Sequence, residues 1–340
     1  MKIAFVVTAQ THEGPLKVVK TLIEGLTERH HSCTLLYLED REVLDLPCVK
    51  RKISYRQEID LSEFDVVHSH GMKPDFFVWL YLRRNKHKSS KTVFVSSYHS
   101  FIFEDFQWKY GSFWGRVLGR LFLKLSSHHD RIIVLSDAAL EYYSEWIPKE
   151  KMVRCYHGIP PYSRTNCLPR EQTGNIMVGT CCALEKIKGV DLLIDAVKAL
   201  PDHYHLMVVG NGSLWNVLHQ KDPLGKRVTF VGDVRDPFSY YEKMDVFVMA
   251  SYSEGFCLAL MEAASTGTEL VCSDIPGMRE KFSDEEVTYF EKGNSRDLMT
   301  AIQKAASSDK GEKAYKKSLS FSTERMVNNH LKIYETLIKS

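Results

Sequence analysis

Two carboxylates frame the stretch Ser253-Glu254-Gly255-Phe256-Cys257-Leu258-Ala259-Leu260-Met261-Glu262. An apolar run, Val246-Phe-Val-Met249, precedes it and reads as a buried parallel strand, while Leu258-Ala-Leu-Met-Glu-Ala-Ala is a strong helix former. Glu254 therefore falls at the carboxyl edge of a strand, and Glu262 about one turn into the following helix. An ionised carboxylate can accept two hydroxyl hydrogen bonds from a vicinal diol. Gly255 lets the backbone approach a ligand closely, and the amides of Gly255, Phe256, Cys257 and Leu258 open a helix N-terminus suited to phosphate. Diol and phosphate together describe a sugar nucleotide.

Other residues could serve the same chemistry. Gly14, before Pro15 at a strand-to-helix turn, invites a phosphate or an acceptor to approach the main chain. His99 follows the strand-like run Thr92–Tyr98, where an imidazole could hydrogen-bond to a leaving phosphate or to a sugar hydroxyl. His68 and His70 end another strand; with no Asp-x-Asp and no further ligand cluster beside them they read as structural, and no metal is expected. Gly210-Asn-Gly212 follows the strand Leu206–Val209 and caps a further phosphate- or ribose-side loop. Arg116, Arg120 and Lys124 recur every four residues and share one helical face; Phe113, Trp114, Val117, Leu118, Leu121, Phe122 and Leu125 make a broad apolar one. A basic amphipathic helix carrying aromatics such as Trp114 suits an anionic membrane surface or a lipid-linked acceptor.

These residues need strands that end together. The first half alternates apolar strands with helical patterns: Ile3–Val7, Thr34–Leu38, Asp65–His68, Thr92–Ser96, Arg131–Leu135 and Val153–Tyr156. The second half repeats the architecture without the sequence: Ile176–Thr180, Leu206–Val209, Val228–Val231, Asp245–Met249, Glu269–Cys272 and Val287–Phe290. Alternation of this kind predicts an α/β protein of two Rossmann-like, doubly wound parallel sheets. The turn-rich stretch from Gly158 to Gly174 separates them. The expected division is 1–163, 175–322 and a C-terminal amphipathic helix within 323–340. A cleft between two such domains is the default place for a substrate.

The motif Ser251-Tyr-Ser-Glu254-Gly255-Phe256, closing at Glu262-Ala-Ala and followed by Gly267, resembles the signature of glycosyltransferase family 4, the group 1 retaining glycosyltransferases. The resemblance implies a GT-B fold with the domains facing across a cleft and the last helix crossing back to the first domain. It implies a metal-independent, retaining hexosyltransferase whose nucleotide-sugar donor, a UDP-hexose or UDP-N-acetylhexosamine, is held by the second domain. Lys188 of Lys188-Gly189 then binds the diphosphate as a point charge. The family's upstream Arg is absent, its place taken by Cys or Ala, so Lys186 is the candidate to supply the missing charge. Glu262 holds the ribose, Glu254 the sugar, His99 reaches the donor sugar, and the loop carrying Arg235 lies beside the nucleobase. The implied acceptor is a glycan or lipid-linked sugar in bacterial O-antigen, capsule or lipopolysaccharide synthesis. A sugar-nucleotide epimerase on the same fold and a non-catalytic membrane-bound partner are the alternatives; a nicotinamide oxidoreductase is disfavoured because no Gly-x-Gly-x-x-Gly follows the first strand.

Composition agrees with a globular enzyme: 340 residues exceed one usual core, and 44% hydrophobic with 26% charged residues is the balance of a globular chain. No apolar run reaches the roughly 18 residues that span a bilayer, and Ile3-Ala-Phe-Val-Val is too short for a signal-peptide core. A cytoplasmic location, peripheral on the inner face of the membrane, is expected. Eight cysteines (Cys33, Cys48, Cys155, Cys167, Cys181, Cys182, Cys257, Cys272) show no metal or redox spacing and read as reduced thiols. Net charge is +2, but residues 1–165 carry 24 Lys and Arg against 19 Asp and Glu while the rest carry 21 against 24. The basic half is where an anionic partner would dock, and no nucleic acid is expected.

Overall fold

A computed structural model describes residues 1–10, 14–41, 45–85, 91–163 and 174–339. The chain divides into two compact units, one of Met1–Gly158 with the C-terminal helix and one of Ile159–Ser322.

In the first unit seven parallel strands, β1 (Lys2–Ala9), β2 (Ser32–Glu39), β3 (Val49–Lys52), β4 (Val66–His70), β5 (Val93–Ser97), β6 (Arg131–Val134) and β7 (Met152–Arg154), lie in the order β3-β2-β1-β4-β5-β6-β7. β4 and β5 are buried along their whole length because helices cover both faces, which is why their sequences lack polar alternation. The strand β3 was not anticipated: Val-Lys-Arg-Lys has no apolar pattern, and its three cations sit at the sheet edge, where charge blocks pairing with another chain.

The helices are α1 (Gly14–Thr27), α2 (Met72–Arg84), α3 (Ile102–Tyr110), α4 (Ser112–Ser126) and α5 (Asp137–Ser144). Gly111, at φ +80°, ends α3 and starts α4. A Cβ on Gly115 would sit 2.6 Å from the Gln107 nitrogen, and one on Gly119 2.5 Å from the Phe103 ring, so these glycines let α4 lie directly on α3.

The second unit has six parallel strands, β8 (Ile176–Cys181), β9 (Tyr204–Val209), β10 (Val228–Gly232), β11 (Val246–Met249), β12 (Glu269–Ser273) and β13 (Thr288–Phe290), in the order β10-β9-β8-β11-β12-β13. Its helices are α6 (Val190–Ala199), α7 (Trp215–His219), α8 (Phe238–Tyr241), α9 (Leu258–Thr266), α10 (Pro276–Arg279), α11 (Ser295–Ala306) and α12 (Gly311–Ser318). Val178, Leu206, Val246 and Val271 from four strands pack with Leu193, Ile194 and Val197 of α6 and Leu298 and Ile302 of α11 in one apolar core.

The last helix, α13 (Thr323–Lys339), belongs to the first unit: the Tyr334 hydroxyl is 2.7 Å from His68 Nδ1, and Val327 fills the space left by the missing side chain of Gly25 on α1. Of the separating stretch, residues 164–173 lie outside the described residues. Tyr162 stacks on Phe238 at 4.8 Å between ring centres and donates to Glu242.

Candidate active site

In the second unit the chemistry-bearing groups gather where β8, β9 and β11 end. The turn Lys186–Lys188 runs into Gly189, whose φ of +63° is left-handed; a Cβ there would lie 2.3 Å from the Ala250 carbonyl oxygen. Only glycine permits that approach. The Tyr252 amide then donates to the Ile187 carbonyl at 2.8 Å, tying the loop after β8 to the loop after β11.

This stitching sets Lys188 Nζ 2.7 Å from Glu254 Oε1, which also accepts from Ser251 Oγ at 2.7 Å. Glu254 Oε2 accepts no hydrogen bond among the described residues. Burial opposes the Lys188 charge, but Glu254 overrides that and holds the ammonium above the usual lysine range. The pair thus presents a fixed cation and an unengaged carboxylate oxygen next to the first turn of α9.

That turn is strained. Cys257, the residue that caps α9, has φ +58°, a conformation few residues other than glycine adopt. Gly255 and Phe256 are buried, and the Phe256 ring packs edge-on against Phe321, so what these positions can offer a ligand is main chain. Leu258 is half-buried. Glu262 is 5% exposed and accepts from the Tyr241 hydroxyl at 2.8 Å.

Around this centre, Gly210 (φ +117°) and Gly212 press against the loop after β8: their Cβ atoms would meet Cys182 O at 2.1 Å and Leu184 N at 2.6 Å. Glu185 accepts from both the amide and the hydroxyl of Ser213, at 3.0 and 2.6 Å. Gly210 is therefore a packing requirement as well as a loop residue. Lys186 and Arg235 are exposed, and Ala183 in the loop after β8 is exposed too. Among the described residues no carboxylate pairs with Lys186.

In the first unit His70, His99 and His157 form a string at the carboxyl ends of β4, β5 and β7. His70 Nδ1 is 2.9 Å from His99 Nε2, and His99 Nδ1 is 3.2 Å from His157 Nε2. Between neutral imidazoles each contact needs one donor and one acceptor, so the three tautomers are set together. Burial pushes His99 down to about 4 and His70 well below its ordinary value, so both are neutral. His68 lies beneath, 2.8 Å from Ser97 Oγ.

His99, expected at the end of a strand and reaching the donor sugar, has both ring nitrogens engaged by other histidines. His70, read as structural, holds a buried Nε2 with no partner among the described residues. His157 carried no local signal; only the contact reveals it. Gly14 opens α1, and nothing lies within 4 Å of a Cβ built on it; residues 11–13 of its loop are outside the described residues. Among the described residues no group of three or more His, Cys, Asp or Glu could hold a metal ion, and the described cysteines are free thiols. Cys167 lies outside them.

The broad apolar face expected of α4 is divided between core and surface. Gly115, Gly119, Phe122, Leu123, Leu125 and Ser126 are the buried residues; Phe113 (71%), Trp114 (60%), Val117 (41%) and Leu121 (49%) are exposed. Burial goes to the glycine side because only there can α3 come close. The exposed apolar strip adjoins Arg116, Arg120 and Lys124, all exposed.

Two Rossmann-like units of this kind are those of the GT-B fold, and solved structures share it: Anabaena Alr3699/HepE, determined in complex with UDP and glucose, superposes with a TM-score of 0.81 over 99% of both chains at 18% identity. Family models match in both units, "Glycosyltransferase Family 4" over residues 14–162 and "Glycosyl transferases group 1" over residues 175–308. The Escherichia coli O-antigen biosynthesis glycosyltransferase WclY is 30% identical over 328 residues, 89% of each chain. A Campylobacter jejuni N-acetylgalactosamine-N,N'-diacetylbacillosaminyl-diphospho-undecaprenol 4-alpha-N-acetylgalactosaminyltransferase is 32% identical over 138 residues, 39% of this chain and 38% of that one. The chain belongs to glycosyltransferase family 4, the group 1 glycosyltransferases, and is an enzyme of that class.

Proposed function

We propose that this glycosyltransferase moves a hexose or N-acetylhexosamine from a UDP sugar to a glycan or lipid-linked acceptor, with retention and without a metal, in the assembly of a bacterial surface polysaccharide. The observation that carries this reading is the Lys188–Glu254 pair at 2.7 Å beside the N-terminus of α9. Negative charge grows on the diphosphate as the glycosidic bond breaks. A fixed ammonium and preorganised helix amides stabilise that charge without reorganising. Glu254 Oε2 accepts from a sugar hydroxyl, and Glu262, steadied by Tyr241, takes the ribose diol.

Support for the nucleotide and acceptor is by similarity: the fold neighbour holds UDP and glucose, and relatives build O-antigen or extend undecaprenyl-diphosphate-linked sugars. The first unit is assigned the acceptor. The exposed Phe113, Trp114, Val117 and Leu121 strip beside three cations suits the surface of an anionic membrane.

The test is thermal stabilisation of the purified protein by a panel of UDP-, GDP- and ADP-sugars, followed by transfer assays with the sugar that binds. A UDP sugar should raise the melting temperature of the wild type and not of Lys188→Ala, and transfer should persist in EDTA. Stabilisation that survives Lys188→Ala would sink the placement of the diphosphate.

A further inference from the structure

Lys281 is a lysine in an apolar slot. It follows α10, where Ile275, Met278 and Phe282 point into the core, and it is itself only 1% exposed, among the largest fully buried side chains described. Burying an ammonium is costly unless its donors are met. Here Nζ donates to the carbonyl oxygens of Gly255, at 3.3 Å, and Gly277, and it lies 5.3 Å from the centre of the Phe256 ring. A Cβ on Gly277 would be 3.2 Å from the Glu254 oxygen, so the first turn of α10 lies directly against the Glu254–Gly255 main chain.

The donor loop is therefore gripped from two sides. Lys188 holds the Glu254 carboxylate, while Lys281 holds the main chain and aromatic ring of the next two residues. The strained Cys257 comes immediately after, and a left-handed residue of that kind persists only where its surroundings over-determine it.

We propose that Lys281 is a positioning residue for donor binding: its buried ammonium keeps the Gly255 carbonyl turned inward and Cys257 left-handed, so that the first amides of α9 stay aimed at the donor's diphosphate. This rests on the donor reading above. Only the charged form acts, because a neutral amine loses the cation–π contact and most of its pull on two carbonyls.

Burial brings Lys281 down to about 8, opposed by the nearby carboxylates of Glu280 and Glu254. Burial holds the Cys257 and Cys272 thiols well above their ordinary value, so they stay neutral up to pH 9, and Lys188 stays charged. Of these two lysines and two cysteines only Lys281 titrates between pH 7 and 9, and donor binding weakens as it loses its proton. Folding stability moves the other way: in that range and up to its ordinary value of 10.5 the unfolded chain binds more protons at this position than the folded one, so its contribution rises with pH.

The experiment is calorimetric titration of UDP into wild type, Lys281→Met, Lys281→Arg and Lys188→Ala at pH 7 and pH 9, with circular dichroism melts of each. Wild-type UDP affinity should fall several-fold from pH 7 to pH 9. Lys281→Met, which keeps the length and apolar stem, should fold, bind UDP at least tenfold more weakly at pH 7, and show no change at pH 9. Lys281→Arg should keep its charge and lose the pH dependence. A Lys281→Met protein that binds UDP like the wild type at pH 7, or a wild-type profile flat across the two pH values, overturns the proposal while leaving the donor site standing. Should wild type bind no UDP at all, the donor reading falls and takes this one with it. If Lys281→Met fails to fold, the wild-type pH profile and Lys281→Arg still decide.

Discussion

Glu254 has one carboxylate oxygen engaged by Lys188 and Ser251 and the other without a hydrogen bond among the described residues, and in the proposed function that second oxygen takes a sugar hydroxyl. Glu254→Gln keeps the shape and removes the charge; it should lower kcat/KM by about 10²-fold, a loss typical of removing one electrostatic stabiliser. Steady-state transfer kinetics would show it, and an unchanged kcat/KM would remove Glu254 from the reaction. In the proposed function Lys188 binds the donor diphosphate, so its contribution shows through mass action. At 100-fold excess of ligand over Kd the wild type should gain about 2.7 kcal/mol of stability, and Lys188→Ala should gain almost none. Gly189 is held by geometry rather than by ligand: its φ of +63° and the 2.3 Å approach to Ala250 O leave no room for a methyl group. Gly189→Ala should cost at least ~1 kcal/mol from the left-handed backbone alone, and more from the clash, measured by denaturant unfolding.

Helix α4 shows how one element can serve two masters by having two apolar sides. Its glycine side packs on α3, and its aromatic side, Phe113, Trp114, Val117 and Leu121, lies open beside Arg116, Arg120 and Lys124. If the open side docks on anionic lipid, replacing Phe113 and Trp114 by Ser should weaken co-sedimentation with phosphatidylglycerol vesicles at least tenfold and leave the melting temperature within about 1 °C, because surface changes of this kind seldom move stability. Undiminished vesicle binding would rule the helix out as the anchor. Gly119→Val is the complementary change: its side chain would enter the Phe103 ring, so it should destabilise the first unit.

Across the whole molecule the buried histidines make stability acid-sensitive. His68 and His70 are held well below the ordinary 6.5, and His99, His129 and His330 at about 4, each chiefly by burial. A histidine lowered on folding contributes stability that is present above about 6.5 and lost as pH falls toward the folded value, because only the unfolded chain gains the proton. His129 and His330, both fully buried, should each forfeit at most about 3 kcal/mol by pH 4. Buried Asp75, raised to about 7, opposes this by taking up a proton in the folded state as pH falls. Five groups outweigh one, so urea unfolding should show stability dropping between pH 6.5 and 4. A flat profile would mean the histidines are charged or solvated in the fold.

Much of this architecture was legible in the residue order. Strands such as Val246–Met249 and Val66–His70 are near-continuous apolar runs because both sheet faces are covered, and the order strand, Glu, Gly, helix around Glu254 is local and survives in the chain. Lys188-Gly189 was readable for the same reason. What the residue order left open concerns groups distant in sequence. Whether α4 buries its aromatics or its glycines is decided by α3. That His99 is the middle of a string depends on strands 29 and 58 residues away. Lys281 carries no local signal, since nothing near it in sequence marks the Gly255 carbonyl it grips from 26 residues away. Period and motif report what a residue is and which element carries it; only the packing of elements decides which of its atoms remain unengaged, and chemistry is done by those.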